Sequence, residues 1–126
     1  MEQSPREPHS RWARLRIDVN CGLRRGAWYP VVRFVQDRAV LEVARERLPV
    51  PRRLVQTIFD RPFHWTIVPR PHDAVNLPSD WGGRYAVCPA CRTRAPIHGH
   101  PVDMSCPQCQ EVFQIAWDEH YLRGKR

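Results

Sequence analysis

Four cysteines in two Cys-Pro-x-Cys pairs are the residues of this chain with the clearest chemistry. The pairs are Cys88/Cys91 and Cys106/Cys109, and fourteen residues separate them. A two-residue spacing places both sulfurs of a pair on one side of a tight turn, and two such turns supply the four thiolates of a tetrahedral site. Proline pre-sets each turn, so the backbone N–H groups that follow can donate to the sulfurs. The pattern predicts one zinc ion, with iron on the same ligands or redox use of the pairs as alternatives.

A zinc ion held by four thiolates has no open coordination position for water or substrate. Lewis-acid catalysis is therefore not expected, and the metal would serve stability. A segment of about 35 residues is too small to bury an adequate core, whereas metal binding can contribute on the order of 10 kcal/mol to folding. The sequence contains no phosphate-binding glycine loop, nucleophile elbow or metalloprotease motif. We expect a non-enzymatic protein.

The segment from about residue 84 to residue 117 resembles the zinc ribbon, a family built on rubredoxin-type knuckles. The resemblance implies a strand that enters the first knuckle, a hairpin between the knuckles, and a strand that leaves the second. Residues 84–87 match the entering strand and residues 112–117 the leaving strand. The chain departs from the family at the residue after each pair, where glycine is common and where Arg92 and Gln110 stand here.

Three other groups of residues have chemical potential but a simpler interpretation. Cys21 has no base nearby in the sequence, so a buried, inert thiol is favoured over a reactive one. His98 and His100 lie between the knuckles, where four cysteines already complete a site, so a hairpin tip is favoured over a second metal. Residues 118–120 (Asp-Glu-His) follow one another directly and point in different directions, which favours a solvated exit from the ribbon over an acid–base cluster.

Arginine provides the second chemical signal. The net charge is +7, and residues 1–70 carry fourteen arginines against seven acidic residues, while residues 71–126 are balanced. Together with nearby tryptophans, these arginines could form a basic surface with aromatic platforms for nucleic acid. The alternative is an ordinary solvated face with the tryptophans in the core. The candidate nucleic-acid-binding residues are Arg14, Arg16, Arg24, Arg25, Arg52 and Arg53.

Compartment and partners follow from the same features. Paired cysteines of this kind indicate metal in a reducing cytoplasm more often than disulfides. No apolar run approaches the roughly 18 residues of a membrane span, and Met1–Ser10 lacks the apolar core of a signal peptide. We expect a cytoplasmic protein without a membrane association. Its partner would be nucleic acid or a ribonucleoprotein; alternatively, the chain is a protein–protein interaction subunit whose zinc ribbon docks a partner in a larger complex.

The elements that position these residues are predicted to be short strands. In the first strand, Leu15 and Ile17 alternate with Arg14 and Arg16, which indicates one apolar and one basic face. Further strands are predicted at 28–35, 39–44, 54–59 and 64–68, with a helix as the alternative at 54–59.

The fold class predicted is mainly β. A small antiparallel barrel or roll, for which an SH3-like barrel fits the strand count, precedes a C-terminal zinc ribbon; a small α+β module is the alternative to the barrel. The predicted divisions are a flexible arm at 1–11, a β module at 12–70, a proline-rich linker at 71–80, the ribbon at 81–118 and a basic tail at 119–126.

Overall fold

A computed structural model of the chain describes residues 11–122. The predicted mainly-β class is confirmed: the described residues form ten strands in two sheets, and one sheet curls into a half-barrel. Most of the predicted flexible arm, and the last four residues of the predicted basic tail, lie outside the described residues. Within residues 11–122, no helix has the length and apolar character needed to cross a lipid bilayer.

The first sheet is antiparallel throughout and has the order β4-β3-β2-β1-β5. Two tight hairpins, at residues 36–37 and 44–45, connect β2, β3 and β4. A single 3-10 turn at Arg52–Leu54 leads from β4 into β5. The strands are β1 (Trp12–Leu15), β2 (Tyr29–Val35), β3 (Arg38–Val43), β4 (Glu46–Pro51) and β5 (Val55–Ile58).

The second sheet has the order β8-β7-β6-β10-β9 and carries the cysteines at its strand ends. Its β6–β10 pair is parallel, whereas its other pairs are antiparallel. A 3-10 turn at Ser79–Trp81 precedes β7. The strands are β6 (His64–Pro69), β7 (Arg84–Val87), β8 (Arg94–Ala95), β9 (Asp103–Ser105) and β10 (Val112–Ile115).

Three strand predictions need correction. The first strand covers residues 12–15 rather than the alternating stretch around Ile17, which is exposed. The strand at 64–69 exists, but it pairs with β7 and β10 in the second sheet instead of closing the N-terminal one. The sequence interpretation also missed β4, because Pro49 and Pro51 argue against a strand; both prolines are tolerated here since β4 lies at the sheet edge.

The segment 54–59 forms a strand, β5, as the sequence predicted in preference to a helix.

Two apolar clusters hold the sheets together. The first contains Ala13, Leu15 and Leu41 from one sheet together with Val68 and Val87 from the other. The second cluster surrounds the cysteines and is centred on a fully buried tryptophan of β6. β6 and β7, which flank the segment 71–80 in the sequence, pair with each other and both contribute to the first cluster. The predicted division of the chain at 71–80 stays a prediction.

One glycine is required by this packing. Gly26 has φ of 83°, in the left-handed region, and a Cβ at this position would lie 2.5 Å from a methyl group of Val68. A side chain there would therefore face both backbone strain and a clash with the second sheet. The connection between β1 and β2 passes under β6 at this point.

Candidate metal centre and arginine–aromatic surface

The four predicted cysteines converge on one point. Their Sγ atoms all lie within 4.8 Å of one another. Cys88 Sγ lies 3.8 Å from Cys109 Sγ, and Cys91 Sγ lies 3.6 Å from Cys106 Sγ. A tetrahedral ion with metal–sulfur bonds near 2.3 Å requires sulfur–sulfur edges of about 3.8 Å. The donor set and its spacing therefore fit a four-coordinate metal ion.

The two knuckles have the same backbone geometry. In each, the N–H of the first cysteine donates to the carbonyl five residues on, and its own carbonyl accepts from the N–H four residues on. These distances are 2.9 and 3.1 Å in the first knuckle and 2.8 and 2.9 Å in the second. β7 ends directly before Cys88 and β9 ends directly before Cys106, so two strand ends place the first ligand of each pair.

Left-handed residues complete both turns. Arg92 has φ of 68° and Gln110 has φ of 66°. These are the positions where the zinc ribbon commonly has glycine, and a side chain in this region costs about 1 kcal/mol or more. The turn geometry is thus kept although glycine is absent.

Hydrogen bonds to sulfur prepare the thiols for metal. The backbone N–H of Ala90 donates to Cys88 Sγ at 3.4 Å, and that of Gln108 donates to Cys106 Sγ at 3.3 Å. Burial raises the pKa of Cys88 to about 12. Burial also opposes ionisation of Cys91, but hydrogen bonds with Thr93 and the neighbouring sulfurs outweigh it and lower the pKa of Cys91 to about 7. A divalent ion would replace the remaining protons and favour four thiolates.

The metal centre is closed by protein. Cys88 and Cys106 are buried and the other two ligands are half-buried, and the second apolar cluster packs around them. The indole N–H of Trp65 in that cluster donates to the carbonyl of Met104 at 3.0 Å, which fixes β9 against β6. A metal here would join the β7 and β9 strand ends.

The other groups singled out in the sequence stand apart from this centre. In the described part of the chain, these four cysteines form the one group of three or more metal-ligating side chains. Cys21 is half-buried and packs against the first apolar cluster. His100 stacks on Trp117 with ring centroids 3.6 Å apart, while His98 is exposed.

Arg14 is 2% exposed, which differs from the solvent-facing basic residue expected from the alternation in β1. Its guanidinium donates to Gln56 Oε1 at 3.3 and 3.0 Å and to Thr66 Oγ1 at 2.9 Å. It also bonds both carboxylate oxygens of Glu119, at 3.2 and 2.5 Å. We call these four residues the arginine cage. A guanidinium enclosed in this way is not presented to phosphate, and its burial follows from the position of β1 inside the sheet with β6 beneath it.

Aromatic rings close the arginine cage on two sides. The guanidinium carbon of Arg14 lies 4.4 Å from the ring centroid of Trp28 and 4.2 Å from that of Tyr121. Tyr121 itself donates through its hydroxyl to the carbonyl of Leu15 and accepts from the N–H of Gly26 at 3.0 Å. Residues far apart in the chain therefore combine to hold one buried charge.

The remaining candidate arginines are not gathered on one surface. Arg16 is exposed and donates to the carbonyl of Arg53 at 3.0 Å, so these two lie together at the end of β1. Arg24 donates to the carbonyl of Arg92 beside the first knuckle. Arg25 pairs with two carboxylates in the β1–β2 connection and the 71–80 segment. Arg52 donates to the carbonyl of Gln36 at 3.4 Å, in the hairpin between β2 and β3.

The structure brings one of these candidates, Arg52, together with three residues that the sequence interpretation did not single out. Guanidinium groups and rings alternate in the order Arg52, Phe34, Arg11, Phe59, with carbon-to-centroid distances of 4.3, 5.0 and 4.3 Å. We call these four residues the arginine–aromatic row. Phe59 is 67% exposed. The sequence signal was the adjacency of arginine and phenylalanine at 33–34 and the aromatic residues at 59 and 63, which are split between strands and become neighbours only in the sheet.

No protein-family model, curated protein or solved structure matches this chain. The metal centre and the arginine–aromatic row are the two features of the described residues that bear on function. These two features lie on different sheets and are linked through the arginine cage, since Thr66 and Glu119 belong to the second sheet and the segment after it.

Proposed function

We propose that this protein is a non-enzymatic, zinc-stabilised β-protein that binds single-stranded nucleic acid, alone or within a ribonucleoprotein, through the arginine–aromatic row. The observation that carries the proposal is the alternation of guanidinium groups with a half-buried ring, Phe34, and an exposed ring, Phe59, across the ends of β2, β1 and β5. Stacking of a base on an aromatic side chain contributes about 1–3 kcal/mol and tolerates any base. Arginines between the rings can contact the phosphates that join successive bases.

Exposure supports this role. Phe59 is 67% and Phe63 is 62% exposed, although both are large apolar side chains that burial would stabilise. Arg52 and Arg61 are also exposed, and the Arg61 guanidinium lies 5.8 Å from the ring centroid of Trp12 beside the row. Exposed rings flanked by cations are typical of proteins that bind single-stranded nucleic acid.

The metal centre has a supporting part in the proposal. Zinc suits four thiolates in a closed tetrahedral site and has no redox chemistry of its own. By holding the second sheet, it would hold Thr66, which supports the arginine cage beneath β1. The metal would in this way stabilise the part of the first sheet that carries the arginine–aromatic row.

The test is fluorescence anisotropy with a labelled 12-nucleotide single strand. With about three phosphate contacts, affinity should fall roughly tenfold to twentyfold when salt rises from about 50 to 200 mM. Phe59→Ala should weaken binding about tenfold through lost stacking, and Arg52→Gln should weaken it and flatten the salt dependence. Arg45→Gln is the matched control, because it removes the same charge from the opposite end of β3. Equal losses in Arg45→Gln and Arg52→Gln, or an affinity independent of salt, would contradict the proposal.

A protein-docking role for the ribbon is the second candidate. Val112 in β10 and Val102, which directly precedes β9, are both largely exposed on either side of the second knuckle. Purification of one stoichiometric protein partner that survives nuclease treatment, and that is lost in Val112→Asp, would favour this role over the row.

A further inference from the structure

A cavity of about 610 Å³ lies beside the arginine–aromatic row. Phe59 and Phe63 stand at its mouth, and the arginine cage, including Gln56 and Glu119, is part of its lining. Its volume is within the range of small-molecule sites in proteins, about 300–1,000 Å³. Phe59 belongs to both the arginine–aromatic row and the cavity lining. A nucleic-acid strand whose bases stack on the row would therefore pass the mouth of the cavity.

The cavity does not offer its arginine to an anion. A guanidinium has five N–H donors, and Arg14 makes five hydrogen bonds, to Gln56, Thr66 and Glu119. No donor of Arg14 is left for a phosphate or carboxylate group. The Glu119 carboxylate in the same lining would also repel an anion.

The cavity floor contains one free hydrogen-bond donor, the amide NH₂ of Gln56, beside the acceptor oxygens of the Glu119 carboxylate. Since a guanidinium can only donate, Gln56 must turn Oε1 toward Arg14, and its NH₂ group points away. No buried side-chain nitrogen or oxygen in the described residues lacks a partner, and Gln56 Nε2 makes no hydrogen bond to them, so this group is open to solvent. Each Glu119 oxygen accepts from Arg14 and keeps a further lone pair, and the side chain is 35% exposed.

We propose that this cavity binds one unstacked guanine base of the single strand; the inference rests on the proposed function. Guanine presents two adjacent N–H donors, N1–H and N2–H₂, next to the O6 acceptor. Its donors match the Glu119 carboxylate, and O6 matches the Gln56 amide. Glu119 Oε2 and Gln56 Oε1 accept from the same nitrogen of Arg14, at 2.5 and 3.0 Å, so the two side chains are neighbours in the cavity lining, and Gln56 Nε2 is bonded to the same amide carbon as Oε1.

Other bases satisfy this floor less well. Adenine and cytosine each bring one amino donor beside a ring acceptor, and uracil and thymine bring a single N–H. Each of these leaves one pairing with Glu119 unmade. A base of any type is flat and suits a cavity mouth flanked by Phe59 and Phe63. Discrimination between bases would therefore depend on Gln56 and Glu119 at the cavity floor.

The test uses the metal-loaded full chain and three labelled 12-nucleotide strands of uridine with a single central guanosine, adenosine or inosine. The guanosine strand should bind about tenfold more tightly than the adenosine strand, and inosine, which lacks the N2 amino group, should lose most of that advantage. Glu119→Gln, which replaces one carboxylate acceptor with an amide donor, should reduce the preference for guanosine, whereas Phe63→Ala and Arg52→Gln should weaken all three strands alike. Guanosine monophosphate should bind the protein more tightly than adenosine monophosphate when measured by calorimetry.

The outcomes separate the two proposals. Salt-dependent binding of all three strands with equal affinity would overturn the guanine site and leave the nucleic-acid function standing. Failure of every strand to bind would overturn the proposed function, and if guanosine monophosphate then still bound selectively, the cavity would be a nucleotide site unconnected with the row. Equal binding of both monophosphates, or of neither, would count against the guanine site.

Discussion

At the residue scale, the metal knuckles use side chains where the geometry calls for glycine. Gln110 has a left-handed φ of 66° and an exposed side chain, and the backbone hydrogen bond from its N–H to the Cys106 carbonyl is 2.9 Å long. The knuckle therefore stays formed in spite of local backbone strain. Arg92 has the same conformation, but its guanidinium donates to the carbonyl of Trp28 at 3.1 Å, which offsets part of that cost.

We predict that Gln110→Gly stabilises the protein by about 1 kcal/mol, because glycine adopts this conformation without the Cβ penalty. The change should appear as a higher midpoint of urea unfolding of the metal-loaded protein. Gln108→Gly is the matched control: Gln108 lies in the same turn, is exposed and has no left-handed φ, so glycine there should be neutral or destabilising. A loss of stability in Gln110→Gly would show that the turn is not strained.

Local spacing explains which site residues the sequence could predict. The four cysteines were found because a two-residue spacing fixes each pair within a single turn. The sequence predicted that Arg14 faces solvent. Alternation along a strand indicates which face of the sheet a side chain lies on, but it does not indicate whether other parts of the protein pack on that face. Its cover comes from Thr66 and Glu119, which are 52 and 105 residues away.

At the scale of elements, four of the five strands of the second sheet are very short, and only β6, with six residues, is longer. β8 has two residues, β9 has three, and β7 and β10 have four each. Each of the two cysteine pairs follows the end of one of these strands, β7 or β9. A metal bound to both pairs would close these short strands into one unit, in the way that small domains with little core depend on metal.

We predict that metal removal unfolds the second sheet. Purified protein should contain one zinc ion per chain, and chelation or Cys106→Ser should abolish binding and shift tryptophan fluorescence to longer wavelength, since Trp65 is fully buried against Cys88 and Cys106 in the second apolar cluster. Cys21→Ser is the control, because Cys21 lies outside the cluster. Visible absorbance with iron in place of zinc, or a metal-free protein with unchanged fluorescence, would contradict the prediction.

The residue pattern predicted the positions of most strands, but it did not predict which strands pair with each other. The strands at 28–35, 39–44 and 54–59 follow runs of β-branched and aromatic residues, and the structure contains them. The pairing of β6 with β10 in parallel could not be inferred, because it joins His64 and Gln114 across a long connection that no local pattern encodes. Sheet membership depends on long-range packing, and short-range pattern carries no information about it.

At the scale of the whole molecule, the segment after β10 returns to the first sheet. Glu119 completes the arginine cage, and Tyr121 inserts into the first apolar cluster, where its hydroxyl bonds Leu15 and Gly26. Burial raises the pKa of Tyr121 to about 12. The final described turn therefore acts as a clasp between the two sheets, and this clasp requires a neutral phenol.

We predict that this clasp weakens in alkali. An ordinary tyrosine has a pKa near 10, so the contribution of Tyr121 should be fully present below about pH 10 and be lost as pH rises toward 12, by roughly 2 kcal/mol. Urea unfolding of the metal-loaded protein should show the advantage of wild type over Tyr121→Phe shrinking across this window. Tyr85, whose pKa burial also raises, is common to both proteins and cancels in the comparison. A constant difference between the two proteins would argue against a buried neutral phenol.

The arginine cage also has a consequence for biosynthesis. Arg14 and Glu119 are 105 residues apart, and at translation rates of about 5–20 residues per second the carboxylate is made about 5–20 seconds after the guanidinium. Throughout that interval β1 carries a charge that it cannot bury, so the nascent first sheet must stay open on its underside. Burial of the Arg14 charge therefore waits for the synthesis of Glu119, whatever the speed at which the early hairpins form.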